Sequence, residues 1–114
     1  MLVVCHALTG NASLDSWWGG LLGSGKAFDT DKYFVVCCNI LGSCYGSTSP
    51  MSINEETGKE WGMNFPDVSV ADTVALQLEL LKALDISSVK SVIGGSFGGM
   101  QTLEFAVQGD GFVR

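Results

Sequence analysis

The sequence predicts an α/β chain: a parallel sheet of about three core strands with flanking helices. Three observations carry this. Short apolar runs stand at Leu2–Cys5, Tyr33–Cys38 and Val89–Ile93, the last interrupted by Lys90 and Ser91, the pattern of strands buried on both faces. Ser69 to Leu84 repeats its apolar residues at helical spacing. The third apolar run passes into a second helical pattern through Gly94-Gly95-Ser96-Phe97-Gly98. Strands that alternate with helices pair in parallel and cover both sheet faces.

Taken in order, Leu2–Cys5 is the first strand and His6–Asn11 the loop that leaves it. Asp15 to Leu22 predicts a short helix, interrupted by Gly19-Gly20. Tyr33–Cys38 is rich in β-formers and reads as the second strand. Asn39 to Asp67 is expected to be long and irregular, with both prolines, several glycines and three aromatic residues that would fold it onto the domain. For the helix that follows, Ser69 is the expected N-cap, with Asp72 completing a capping-box variant. Its apolar stripe is Val70, Val74, Leu78 and Leu81, joined by Leu80 and Leu84. Val89–Ile93 is the third strand, and Gly98–Val107 the last helix, with Met100, Leu103 and Phe105–Val107 apolar.

Composition limits the function. The chain of 114 residues is 46% apolar and 16% charged, with net charge −6. Such a chain folds, and it offers no basic face to a nucleic-acid backbone. No basic amphipathic helix or long apolar span addresses a membrane. The four cysteines, Cys5, Cys37, Cys38 and Cys44, form no C-x-x-C pair. They read as reduced thiols, which points to the cytoplasm or an organellar matrix, and a metal site made with His6 is the weaker alternative. Met1 leads straight into an apolar run and Arg114 ends abruptly. Residues 1–114 are therefore expected to be the N-terminal part of one domain, truncated at both ends.

Ser96 is the candidate nucleophile. G-x-S-x-G between a strand and a helix places a serine on a sharp, strained turn, and Gly94 and Gly98 supply the small residues the turn needs. The free N–H groups of the following helix face the serine oxygen. An oxyanion hole needs two donors. Phe97, the residue after the nucleophile, supplies one, and the loop His6–Gly10 after the first strand supplies the other. His6 precedes the serine and is read as a packing histidine that holds this loop.

Together these segments resemble the homoserine O-acetyltransferase family of the α/β-hydrolase superfamily. Cys5–Gly10 matches the family's CHALTG, Trp17-Trp18 its WW, and Ala27–Thr30 its AFDT. Asn39–Pro50 matches N-x-LG-x-x-x-GS-x-x-P, and Gly94–Gln101 matches GGS-x-GGMQ. The resemblance covers essentially the whole chain and implies a partial α/β-hydrolase fold. It further implies ping-pong transfer of an acetyl group from acetyl-CoA, through acyl-Ser96, to L-homoserine in methionine biosynthesis. Leu8 and Phe97 would be the backbone oxyanion donors. Asn39, Gly42, Gly46 and Ser47 are candidate acceptor-binding residues. No bound cofactor, metal, nucleic acid or membrane is implied; members are often homodimers. Two positions depart from the family: Phe97 stands where Met is usual, and Ala71 where Arg commonly precedes the helix Asp.

The general base is missing. In this fold the triad acid and histidine follow the nucleophile, yet no histidine follows Ser96. Glu104 and Asp110 read as solvated charges. The chain alone is therefore expected to be inactive and, with open sheet edges, prone to aggregate. The competing readings are a related serine or homoserine acyltransferase using acetyl or succinyl groups, an esterase or thioesterase, and an inactive truncated remnant.

Overall fold

The computed structural model describes all 114 residues. Its elements run β1 (Leu2–Cys5), α1 (Leu14–Trp18), β2 (Val35–Cys37), β3 (Ile53–Asn54), β4 (Lys59–Glu60), α2 (Val70–Ala83), β5 (Ser91–Gly94) and α3 (Phe97–Gln108). The central sheet has order β2-β1-β5, all parallel. Val3 lies opposite both Val36 and Val92, so β1 is the middle strand and all four of its residues are buried.

The alternation of β1 builds two cores. Val3 and Cys5 face one side and pack with Val74, Leu78 and Leu81 of α2 and Phe105 of α3. Leu2 and Val4 face the other, against Leu14 and Phe28, with Trp17 and Trp18 partly covering them. Full burial of a side chain such as Leu81 or Phe105 contributes on the order of 2 kcal/mol. The sheet is thus covered on both faces as the sequence predicts.

Helix α2 begins as expected. The Ser69 hydroxyl accepts from the Asp72 N–H at 3.1 Å, and the Asp72 carboxylate accepts from the Ser69 N–H at 2.8 Å. Its predicted stripe needs correction. Leu80 and Leu84 are exposed, whereas Thr73 and Gln77 are buried beside Val74, Leu78 and Leu81. Likewise α3 buries Gly98, Gln101 and Phe105 and leaves Met100, Leu103 and Val107 exposed.

Element boundaries move by a few residues, three of them for a clear backbone reason. β2 starts at Val35 because the Tyr33 N–H turns back to the Asp29 carbonyl at 2.8 Å. β5 starts at Ser91 because Val89 pairs instead with the C-terminal tail: its N–H donates to Phe112 O and its carbonyl accepts from Arg114 N. α1 stops at Trp18, and Gly19 fills a place where a Cβ would lie 2.3 Å from the Asp15 carbonyl oxygen. Within the long segment 39–67 the hairpin β3–β4 is new. It is closed by the Gly58 N–H on Asn54 O at 2.8 Å, with Gly58 at φ 68°. A short 3-10 helix, Gly62–Asn64, follows it.

Candidate functional site

The site is built where β1 and β5 end side by side, Cys5 opposite Gly94. Ser96 stands between β5 and α3 with φ 56° and ψ −124°, a conformation that costs a residue with a side chain on the order of 1–3 kcal/mol. The turn can close because its flanking residues have no Cβ. At Gly94 a Cβ would lie 2.3 Å from the Gly98 carbonyl oxygen. At Gly98 it would lie 2.1 Å from the Cys5 carbonyl oxygen, in the last residue of β1. The second glycine is therefore required by the neighbouring strand rather than by the turn itself.

Ser96 is exposed, and its side chain makes no capping hydrogen bond. It opens onto a cavity of about 590 Å³ whose lining includes Thr9, Asn11, Ser16, Trp17 and Trp18. The two tryptophans form its wall. Trp17 is fixed by its indole N–H, which donates to the Asn11 carbonyl at 3.0 Å, and its ring lies 4.9 Å from that of Trp18. Sequence reasoning quoted this pair only as a motif; bulky aromatics shortly after the first strand were the signal that they line the site.

The N–H of Phe97 opens α3, so it has no partner within its helix. Neither it nor the N–H of Leu8 donates to any backbone acceptor. The direction of the Leu8 N–H is set from the other end of its peptide. The Ala7 carbonyl accepts from His6 Nδ1 at 2.7 Å and from the Gly10 N–H at 2.9 Å. In a planar trans peptide the N–H points opposite to the C=O, so fixing Ala7 O also fixes Leu8 N–H. His6 is 1% exposed and is not part of the cavity wall. It packs and holds the loop, as the sequence reading expects, and its Nε2 is buried without a partner.

The other sequence candidates lie apart from the Ser96 cavity. Gly42 shares a smaller pocket of about 220 Å³ with Leu8, Val68 and Phe97. Its N–H donates to Thr48 O at 2.8 Å, closing the loop that carries Gly46 and Ser47. The Asn39 side chain accepts from the Ala12 N–H at 2.8 Å and so braces the loop between β1 and α1. Ser43, in the same segment, buries a hydroxyl without a partner. Glu104 accepts from Gln108 at 2.7 Å, and Asp110 is exposed.

Cys5 and Cys37 offer no second nucleophile. Burial, then the neighbouring Cys37 and Cys38, push the Cys5 thiol up to about 12. Burial and Cys38 push Cys37 up to about 12 as well. Both stay protonated at neutral pH. No group of three or more His, Cys, Asp or Glu side chains comes together to hold a metal ion.

The family model described as alpha/beta hydrolase fold matches residues 1–114. A homoserine O-acetyltransferase of Chlorobaculum parvum is 54% identical over 105 residues, which cover 92% of this chain and 30% of that protein. A crystal structure of a homoserine O-acetyltransferase from Bacillus anthracis superposes with TM-score 0.88 at 35% identity, covering 99% of this chain and 35% of that one. A crystal structure of an esterase superposes with TM-score 0.86 at 34% identity, covering 98% and 35%. The chain spans about 30% of the length of the curated relatives it matches.

Proposed function

The chain belongs to the alpha/beta hydrolase fold family, and from that premise we propose that it is the nucleophile-bearing part of a homoserine O-acetyltransferase. The observation that carries the reading is Ser96, held at φ 56° on the glycine-flanked turn between β5 and α3, in a chain 54% identical to a protein of that name over 105 residues.

In this reading Ser96 Oγ attacks the thioester carbonyl of acetyl-CoA while a histidine takes its proton. That histidine and its carboxylate partner lie outside these residues, because the only histidine here is the buried His6. The tetrahedral oxyanion is held by the N–H groups of Leu8 and Phe97, each worth about 10²–10³ in rate. CoA leaves as the thiol, taking the proton from the histidine. The hydroxyl of L-homoserine then attacks acetyl-Ser96 by the same steps in reverse, and O-acetyl-L-homoserine leaves. No metal or bound cofactor takes part.

The Trp17–Trp18 wall favours the transfer by shielding the acyl-enzyme from water. Of Asn39, Gly42, Gly46 and Ser47, Gly42 shares a pocket with Leu8 and Phe97, and we assign the loop to acceptor binding as a group. Four unpaired cysteines accord with a reducing compartment, the cytoplasm.

The similar esterase structure favours a second reading, in which water is the acceptor. The protein carrying this segment is assayed with acetyl-CoA, with and without L-homoserine. Formation of O-acetyl-L-homoserine faster than free acetate supports transfer; CoA release at one rate under both conditions supports hydrolysis. Ser96→Ala abolishes either.

A further inference from the structure

Two glutamines sit inside the core. Gln101 of α3 is 0% exposed and Gln77 of α2 is 4% exposed. Gln77 Nε2 donates to Gln101 Oε1 at 3.0 Å, and Gln101 Nε2 donates to the His6 carbonyl at 3.4 Å. Gln77 Oε1 has no partner at all. For packing alone this is a poor choice, because the other buried residues of these helices include Val74, Leu78, Leu81 and Phe105 and an apolar side chain of similar volume would bury no polar atoms.

What the pair does is grip the loop that carries the Leu8 N–H. The Gln101–His6 contact is the one side-chain hydrogen bond from α3 to that loop. It fixes the His6–Ala7 peptide by its oxygen. The next peptide, Ala7–Leu8, is fixed by its own oxygen through His6 Nδ1 and the Gly10 N–H. Two successive planes are thereby anchored, and the free donor at their end belongs to Leu8. Gln101 also lies on the helix that Ser96 begins, so one amide ties the nucleophile's helix to the second oxyanion donor.

We propose that Gln101, held in place by Gln77, is a positioning residue that sets the Leu8 N–H relative to Ser96. This rests on the reading of Ser96 as an acyl-carrying nucleophile, whatever the acceptor. A small displacement of a preorganised donor loses much of its contribution.

The test uses Gln101→Leu and Gln77→Leu in the protein carrying this segment. Active sites are counted by fluorophosphonate labelling of Ser96, and turnover is read with acetyl-CoA and with p-nitrophenyl acetate. Gln101→Leu is expected to lower kcat per labelled site about 10- to 100-fold. KM should stay within about 2-fold, since the lost interaction is made in the transition state. Gln77→Leu is expected to lower kcat by a smaller factor, about 3- to 10-fold, while the thermal midpoint holds. Wild-type kcat per labelled site in both variants, with only the thermal midpoint changed, would overturn the proposal. If Gln101→Leu does not fold, Gln77→Leu decides alone. A wild-type protein that cleaves the ester but gives no O-acetyl-L-homoserine defeats the proposed acceptor and leaves the glutamine comparison readable on the ester.

Discussion

Two residues other than glycine carry positive φ, Asp85 at 58° and Ser96 at 56°, and they do so for opposite reasons. Asp85 ends α2. Its N–H donates to Lys82 O at 2.9 Å and the next N–H, of Ile86, donates to Leu81 O at 3.0 Å, a Schellman closure in which glycine is usual. Ser96 closes no such motif, and its side chain caps nothing. Its strain is imposed by packing, with Gly98 pressed on the end of β1. At Asp85 the side chain is incidental to the turn. At Ser96 the turn exists to present the side chain. A positive φ thus marks a site only where the surrounding packing enforces it and the side chain is left free.

Gly98→Ala breaks the comparison hardest. Helix propensity alone favours alanine by about 1 kcal/mol. A Cβ 2.1 Å from a strand carbonyl oxygen has no room to shift, so the net cost is about 3 kcal/mol or more. The unfolding free energy from denaturant titration should fall by that amount, and phosphonate labelling of Ser96 should be lost with it. Ser96→Gly should act in the opposite sense on stability. Strain of 1–3 kcal/mol is released and about 0.5–1 kcal/mol is returned as glycine entropy, a net gain of about 1 kcal/mol with all acyl transfer lost. Asp85→Gly should gain about 0.5 kcal/mol and leave activity unchanged, which sharpens the contrast with Ser96.

The smallest effect near neutrality is electrostatic. Cys5 and Cys37 titrate at about 12 in the folded protein against 9.0 for the ordinary thiol. Between those values the unfolded chain loses protons that the folded chain keeps, so rising pH favours unfolding. The contribution of these two thiols should therefore be flat from neutrality to about pH 9 and decline towards about pH 12, as followed by urea midpoints at stepped pH.

The nucleophile turn was legible because each of its requirements is local: an apolar strand, small flanking residues and a helix after them. The start of α2 was legible for the same reason, since Ser69 and Asp72 cap it within one turn. The hairpin β3–β4 was not. Its strands are two residues each, mostly exposed, and carry no alternating apolar pattern; only Asn54 and Gly58 marked the turn. Which apolar residues of α2 and α3 face the sheet was also hidden. Leu80 and Leu103 count as apolar in any pattern, yet Thr73, Gln77 and Gln101 take the buried positions, because α2 packs against α3 and shares one core with Val3 and Cys5 of β1. Gln101 could be read from its motif but not its partners, which come from residues far away in the chain.

The most direct measurement of the central claim is acyl capture. The protein carrying this segment is mixed with acetyl-CoA without acceptor, quenched, and mapped by peptide mass spectrometry. The expected result is one acetyl group on the peptide that contains Ser96, discharged on addition of L-homoserine and absent in Ser96→Ala. An unmodified Ser96 peptide under conditions where CoA is released would contradict the account, because the acyl group would then never have passed through the serine.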